Sequence, residues 1–587
     1  MLMRSTLINR NILRAALNTT AVLGAIGLSG PALGQVVERH EAPGLQQAPA
    51  PPVAAPEPPA NEDATPLGAN LASVVLLKVE APAPGAASEA AAQTPLSDAP
   101  NQATLDRKLA RFAGQPLSRA LIARIETVVV DHYRQAGRPF VAVKLPPQDV
   151  TQGVLRLVVV EFKLGGKTAQ GASPAVDRSI EAGVRASAGD RIDAPQLQQD
   201  LDWLNHSPFR SVTAVFSPGQ DLGVTNLDLQ ARAGKPWQAF VGYDNSGTPS
   251  SGLDRWSLGA EIGDLITPGS LISYQLTTSD DYWVNDTGPF GNGEPQYVSH
   301  SLIVGLPLAP RQDFTLVTDY IDSTTSPQAF KVRSQTEEIS GVYRTALSNF
   351  SPLPGDLSLG VEAHGQQTST YFAGAEQVGH AVVVEQALVG WSDAWSSLAA
   401  TQTLSVTAHI SPGGLGIRNT NADVGAFSSE RVVHADYAYA DIDYRGDFRI
   451  AGEWRYVLAL SGQVADHALV DTEQMAVGGS GGVRGYVYDD GAFDTGIIAR
   501  NELRAPAEPL NAGPIGGSLL PYAYFDAGYG GDRGAGPYEY ASGAGLGADW
   551  RLGLHFTGGL TGGWTLDRGL YTPAGTFKLL ANARLTF

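Results

Sequence analysis

The chain has no cysteine among its 587 residues and only three methionines. Without cysteine there is neither a disulfide framework nor thiolate chemistry. Beyond the N-terminus no apolar run is long enough for a transmembrane helix. Cations are outnumbered: 40 Lys and Arg against 59 Asp and Glu leave a formal charge of -19, which argues against nucleic acid, whose phosphates it would repel. The ten histidines are scattered, with no H-E-x-x-H or paired ligand spacing, so no metal or cofactor is expected. Gly478-Gly-Ser-Gly-Gly482 fits the nucleophile-elbow string, but no helix is expected after it. Gly165-Gly-Lys-Thr168 lacks the leading glycine of a phosphate loop, because position 161 is Glu. These absences leave alternating strands as the one way to cross a bilayer, since only one face of each need be apolar.

What is present begins with a leader. Arg4, Arg10 and Arg14 precede a mostly apolar stretch over 15–28, and Ala32-Leu33-Gly34 supplies a small-x-small site, so 1–34 reads as a signal peptide cleaved before Gln35. Residues 35–67 are rich in Ala and Pro, a composition expected to stay a flexible linker. A small α/β unit is expected over 68–164. In it Ser118 caps a helix with Leu121, Ile125 and His132 on one face, Gly137 ends that helix, and two alternating strands follow. A second unit is expected over 165–234, with Asp193 capping a helix that carries Leu197, Leu201 and Leu204.

From 235 to 587 the texture changes to short alternating segments separated by polar, Gly-rich turns. Sixteen strands are expected, eleven before a long loop over 466–495 and five after it. The last segment is the clearest: Phe577, Leu579, Ala581, Ala583, Leu585 and Phe587 share one face, and Lys578, Asn582, Arg584 and Thr586 the other. A soluble β-sandwich also alternates, but the leader, the strand count and the terminal aromatic favour a lipid-embedded barrel with a polar lumen.

Tyr133-Arg-Gln-Ala-Gly-Arg-Pro-Phe140 with Leu145-Pro-Pro-Gln-Asp-Val-Thr-Gln-Gly-Val-Leu155 resembles the first POTRA domain of two-partner secretion transporters. Leu201-Asp-Trp-Leu-Asn-His-Ser-Pro-Phe-Arg210 resembles the second. Tyr243-Asp-Asn-Ser-Gly247 is similar to the family's first barrel hairpin, Glu473 to Gly479 leading into Val483-Arg-Gly-Tyr486 to its long inward loop, and Tyr524-Phe-Asp-Ala-Gly528 to the strand facing that loop. The resemblance implies α+β POTRA domains in the periplasm, followed by a 16-stranded antiparallel transmembrane β-barrel in the outer membrane of a Gram-negative bacterium. It also implies that the loop folds into the lumen and places Arg484 against Asp526, with Gly485 making the turn and Tyr486 packing on the wall, and that this loop moves to clear the pore. The implied partner is a large secreted exoprotein, captured unfolded near Leu197, Leu201, Leu204 and Phe209 and by strand addition. Outer-membrane lipids, and the barrel-assembly machinery acting on the strand that ends in Phe587, are the other expected partners. Family members often carry an N-terminal plug helix; here only 36–47 could form one, interrupted by Pro43 and Gly44. A barrel-assembly insertase, a diffusion porin and a surface phospholipase are the competing readings. Room for only two POTRA units, the presence of those units with an inward loop, and the missing His/Ser constellation weigh against them in turn.

Overall fold

The computed structural model describes residues 37–44, 61–79, 93–221, 223–284, 293–327, 329–397, 399–479, 481–512 and 515–587. The expected signal peptide, 35–36 and 45–60 of the expected linker, and Ser480 lie outside them.

In the first domain the helix Arg119–Gln135 starts where Ser118 Oγ accepts the Leu121 amide at 3.2 Å, satisfying a donor that the first turn leaves unpaired. It ends before Gly137, whose φ of 76° suits a residue without Cβ. Its apolar stripe, Leu121, Ile125 and Val129, buries against Leu155, Leu157 and Val159 of the sheet. That sheet has the strand order Gln93–Pro95, Ser73–Val79, Val154–Glu161, Val141–Lys144.

The second domain is a three-stranded sheet, with Val224–Ala233 between Lys163–Gln170 and Arg210–Pro218. Two helices cover it, Pro174–Gly183 and Ala194–Leu204. The first was not expected from sequence, although Ser173 caps it and Pro174 opens it, a start signal in its own right. A boundary after residue 164 would cut the strand Lys163–Gln170; the break falls at Phe162, whose amide donates to Phe140 O at 2.9 Å. Phe140 itself sits in the second domain's core, its ring 4.2 Å from that of Phe216. The two domains are thereby riveted together.

From Trp237 onward one antiparallel sheet closes on itself, Trp237–Asp244 pairing with Phe577–Thr586. Among the described residues eleven strands precede the inward loop and five follow it. The twelfth is broken into Thr495–Arg504 and Glu508–Ala512, both paired with Ile515–Asp532. Closure satisfies every ladder without an edge, which a lipid surround demands. On the last strand Phe577, Leu579 and Phe587 point outward, each more than half exposed, while Arg584 lies inside over the Phe240 ring at 4.2 Å. Several strands outrun the lipid band: Asp356–Phe372 and Ala375–Ser396 run 17 and 22 residues, where about ten cross a membrane. The added residues lack an apolar row, because past the lipid band a strand needs only its ladder partner.

Candidate functional site in the barrel lumen

Between the strands Trp454–Ala465 and Thr495–Arg504 the chain folds back into the lumen. At its tip Arg484 sends Nε and Nη2 to the two oxygens of Asp526 at 2.6 and 2.7 Å, its own amide to the same carboxylate at 3.2 Å, and Nη1 to Glu502 at 2.7 Å. Its guanidinium also stacks 4.0 Å from the Tyr524 ring centroid, a geometry that lysine could not reproduce. Burial acts to lower the Arg484 pKa, but the carboxylates hold it above the ordinary value. Gly485 has φ 105° with Thr565 against it, so a Cβ there would be both strained and crowded. Tyr486 OH donates to Asp567 O at 2.8 Å, and Val483 is fully buried. Further along, Asp490 accepts from the amides of Tyr571 and Thr572 and from Thr572 Oγ1, while Asp489 accepts from Ser250 Oγ. The loop therefore also holds the outer turns on both sides of the barrel's closing seam.

Residues 37–44 were expected to be part of a flexible linker. Instead they cross the lumen as a non-helical segment. Arg255, with no exposed surface, donates Nε and Nη2 to Glu38 at 2.6 and 2.7 Å, and Tyr297 OH donates to Glu38 O at 2.7 Å. Arg39 donates Nη2 to Glu338 at 2.6 Å and to the carbonyl of Thr472, at the root of the inward loop, at 2.7 Å. Charge explains the departure. Glu38-Arg39-His40-Glu41 is a charged tetrad within an Ala/Pro-rich stretch, and the lumen wall supplies opposite charges to its first two members, Arg255 for Glu38 and Glu338 for Arg39. That tetrad was the sequence signal available. Pro43 and Gly44 account for the absence of helix.

Glu473, next to Thr472, completes this node. It accepts from His364, Gln386 and Tyr439 at 2.6, 2.9 and 2.9 Å. Burial pushes its carboxyl up, but His364, Thr472 Oγ1 and Arg39 hold it well below the usual carboxylate range.

At the periplasmic end the helix Ala194–Leu204 faces two ways. Leu197, Leu201, Leu204 and Phe209, expected to receive a client, are buried. The three leucines belong to the second domain's core, and the Phe209 ring lies against Gly263 of the barrel. This is a correction: an apolar stripe at helical spacing fills its own domain's core before it is available to a partner. The other face presents Gln199, Asp202, Trp203 and His206 to a cavity of about 450 Å³ that opens onto the inner barrel wall. Beside it, buried Asp200 accepts from Arg185 Nε at 2.8 Å and pairs with Arg311 of a barrel turn at 3.2 Å, docking the domain on the barrel.

Known proteins share this architecture. A model of the haemolysin secretion/activation protein family ShlB/FhaC/HecB matches residues 223–550, more than half of the chain, and a ShlB-type POTRA domain model matches 96–161. The outer membrane transporter CdiB of Dickeya dadantii is 24% identical over 410 residues, 68% of each chain. The heme/hemopexin transporter protein HuxB of Haemophilus influenzae is 20% identical over 423 residues, 70% of this chain and 71% of its own. The structure of CdiB from Escherichia coli superposes with a TM-score of 0.66 at 19% identity, covering 92% of this chain and 94% of that one. A sixteen-stranded barrel with its POTRA domains in the periplasm, and a family match across most of that barrel, make the chain an outer-membrane translocator that belongs to the haemolysin secretion/activation protein family ShlB/FhaC/HecB.

Proposed function

We propose that the chain exports one large exoprotein, captured unfolded in the periplasm and passed through the barrel to the cell surface. Backbone pairing captures it. The strand Arg210–Pro218 pairs on one side only among the described residues, and an added strand there is held by main-chain hydrogen bonds that tolerate many sequences. Folding of the exported chain outside the cell supplies the drive. The outward apolar rows meet outer-membrane lipids, and the strand ending in Phe587 is the segment read by the barrel-assembly machinery. The observation that carries this reading is a polar lumen with POTRA domains docked at its periplasmic mouth, obstructed by two segments of the chain itself. The test is removal of residues 70–233. Export of the cognate exoprotein should stop while small-solute conductance persists; continued export without those domains would refute it.

A further inference from the structure

We infer that the exported chain runs along one strip of the lumen wall, formed by the strands Ala400–Pro412, Asp436–Ala451 and Trp454–Ala465, and that the bar across this track is Arg39 with the Thr472–Glu473 turn rather than the Arg484–Asp526 clamp. This deepens the export reading above and rests on it.

The strip is defined by register. Ser405, Asp443 and Ser461 stand side by side in one inward row, and Thr407, Asp441 and Gln463 in the next, about 7 Å further along the strands. The cavity of about 450 Å³ beneath Trp203 and His206 reaches the first row. A second cavity, of about 370 Å³, begins at the next row and is roofed by Arg39, Thr472 and Glu473. The two spaces therefore succeed one another along the same three strands, from the periplasmic mouth upward. Spaces of this size admit an extended segment and no folded domain. The wall offers an extended chain what its amides require: Asp443, exposed to the lumen, and the Ser461 hydroxyl that donates to it at 2.7 Å present oxygen acceptors without shape-specific pockets. The neighbouring sector of the lumen, against the strands Thr495–Arg504 and Ile515–Asp532, is filled. Val483 and Asp526 have no exposed surface and Tyr486 is buried, so the clamp occupies space that the track does not need. Arg39, by contrast, lies across the upper cavity, tied to Glu338 on the wall and to Thr472 of the loop.

The cysteine-free chain permits a direct test on the full-length protein in planar lipid bilayers. Single variants Ser405→Cys and Ser461→Cys on the strip, and Ser518→Cys inward on the strand that carries Asp526, are each combined with Arg39→Ala. An anionic methanethiosulfonate is the probe. Arg39→Ala should raise the current severalfold. The reagent should then cut that current at Ser405→Cys and Ser461→Cys and leave it unchanged at Ser518→Cys. Heat-modifiable migration on gels checks assembly. Should Arg39→Ala fail to assemble, Glu338→Gln, which weakens the wall partner while leaving the segment intact, should give the same rise. Unchanged current in both overturns the bar. A block at Ser518→Cys with none on the strip overturns the track while leaving a conducting pore, whereas absence of current in every variant removes the channel reading and the inference together.

Discussion

Asp526 has no exposed surface and takes three hydrogen bonds from Arg484, a residue 42 positions earlier in the chain. The loop tip is thus held by a buried, bidentate pair, and removing one partner of such a pair costs about 3–5 kcal/mol because the other is left charged and unpaired. Arg484→Ala and Asp526→Ala should each reduce secretion while the barrel still assembles, since neither side chain takes part in a strand ladder. Secretion assays with heat-modifiable migration check both halves. Normal export by both variants would show that the clamp is dispensable.

Leu201 belongs to the second domain's core, so Leu201→Ala should destabilise that domain by about 2–5 kcal/mol, seen as increased protease sensitivity of the periplasmic part. Trp203→Ala, which lines the cavity and packs only on the edge of that core, should cost less protease resistance than Leu201→Ala and weaken export. The reverse pattern would return the leucines to a client-binding role.

His206 accepts from Arg344 Nη2 at 3.2 Å and lies 3.0 Å, through Nδ1, from the carbonyl of Trp203, an arrangement that requires a neutral ring. Burial first, and then the Arg344 guanidinium, lower its pKa, opposed by the bond to the Trp203 carbonyl and then by Asp313. A histidine held neutral in the docked state costs stability when it must charge. Docking of the second domain on the barrel should therefore weaken as pH falls through the ordinary histidine value of about 6.5. Hydrogen exchange of the helix Ala194–Leu204 at pH 7.5 and 5.5, with His206→Gln as control, checks this; equal protection at both would contradict it.

The seam that closes the barrel is extended by a side chain. Asn245 Nδ2 donates to Leu579 O and its Oδ1 accepts from Ala581 N, both at 2.8 Å, continuing the five-residue ladder between Trp237–Asp244 and Phe577–Thr586. Losing two such bonds is worth about 1–3 kcal/mol. Asn245→Ala should lower the temperature of heat-modifiable unfolding, and an unchanged transition would deny the seam this clasp.

Much of this was legible because membrane strands carry their own code. Period-two alternation places Phe577, Leu579 and Leu585 outward whatever the rest of the chain does, and the strands recur often enough to be counted. Strand ends were less legible, because beyond the lipid band only a ladder partner selects the conformation. The helix Pro174–Gly183 has a legible start signal in Ser173 and Pro174. Leu197, Leu201 and Leu204 form one apolar face that fills their own domain's core; periodicity reports that a face is buried and not what buries it.

Local patterns in the chain suffice for the POTRA-then-barrel order and the sixteen strands, whereas the facing of Arg484 and Asp526 was implied only by the family resemblance. Alternation, capping residues and a short motif act over a few neighbouring positions, which is the range that sequence patterns record. Tertiary structure alone decided that Glu38 would seek Arg255 and Arg39 would seek Glu338, partners 217 and 299 residues away. A charged tetrad in a Pro-rich stretch has no local reason to order itself. It does so because the closed lumen sets Arg255 against Glu38 and Glu338 against Arg39, and that wall exists only once the last strand has paired with the first.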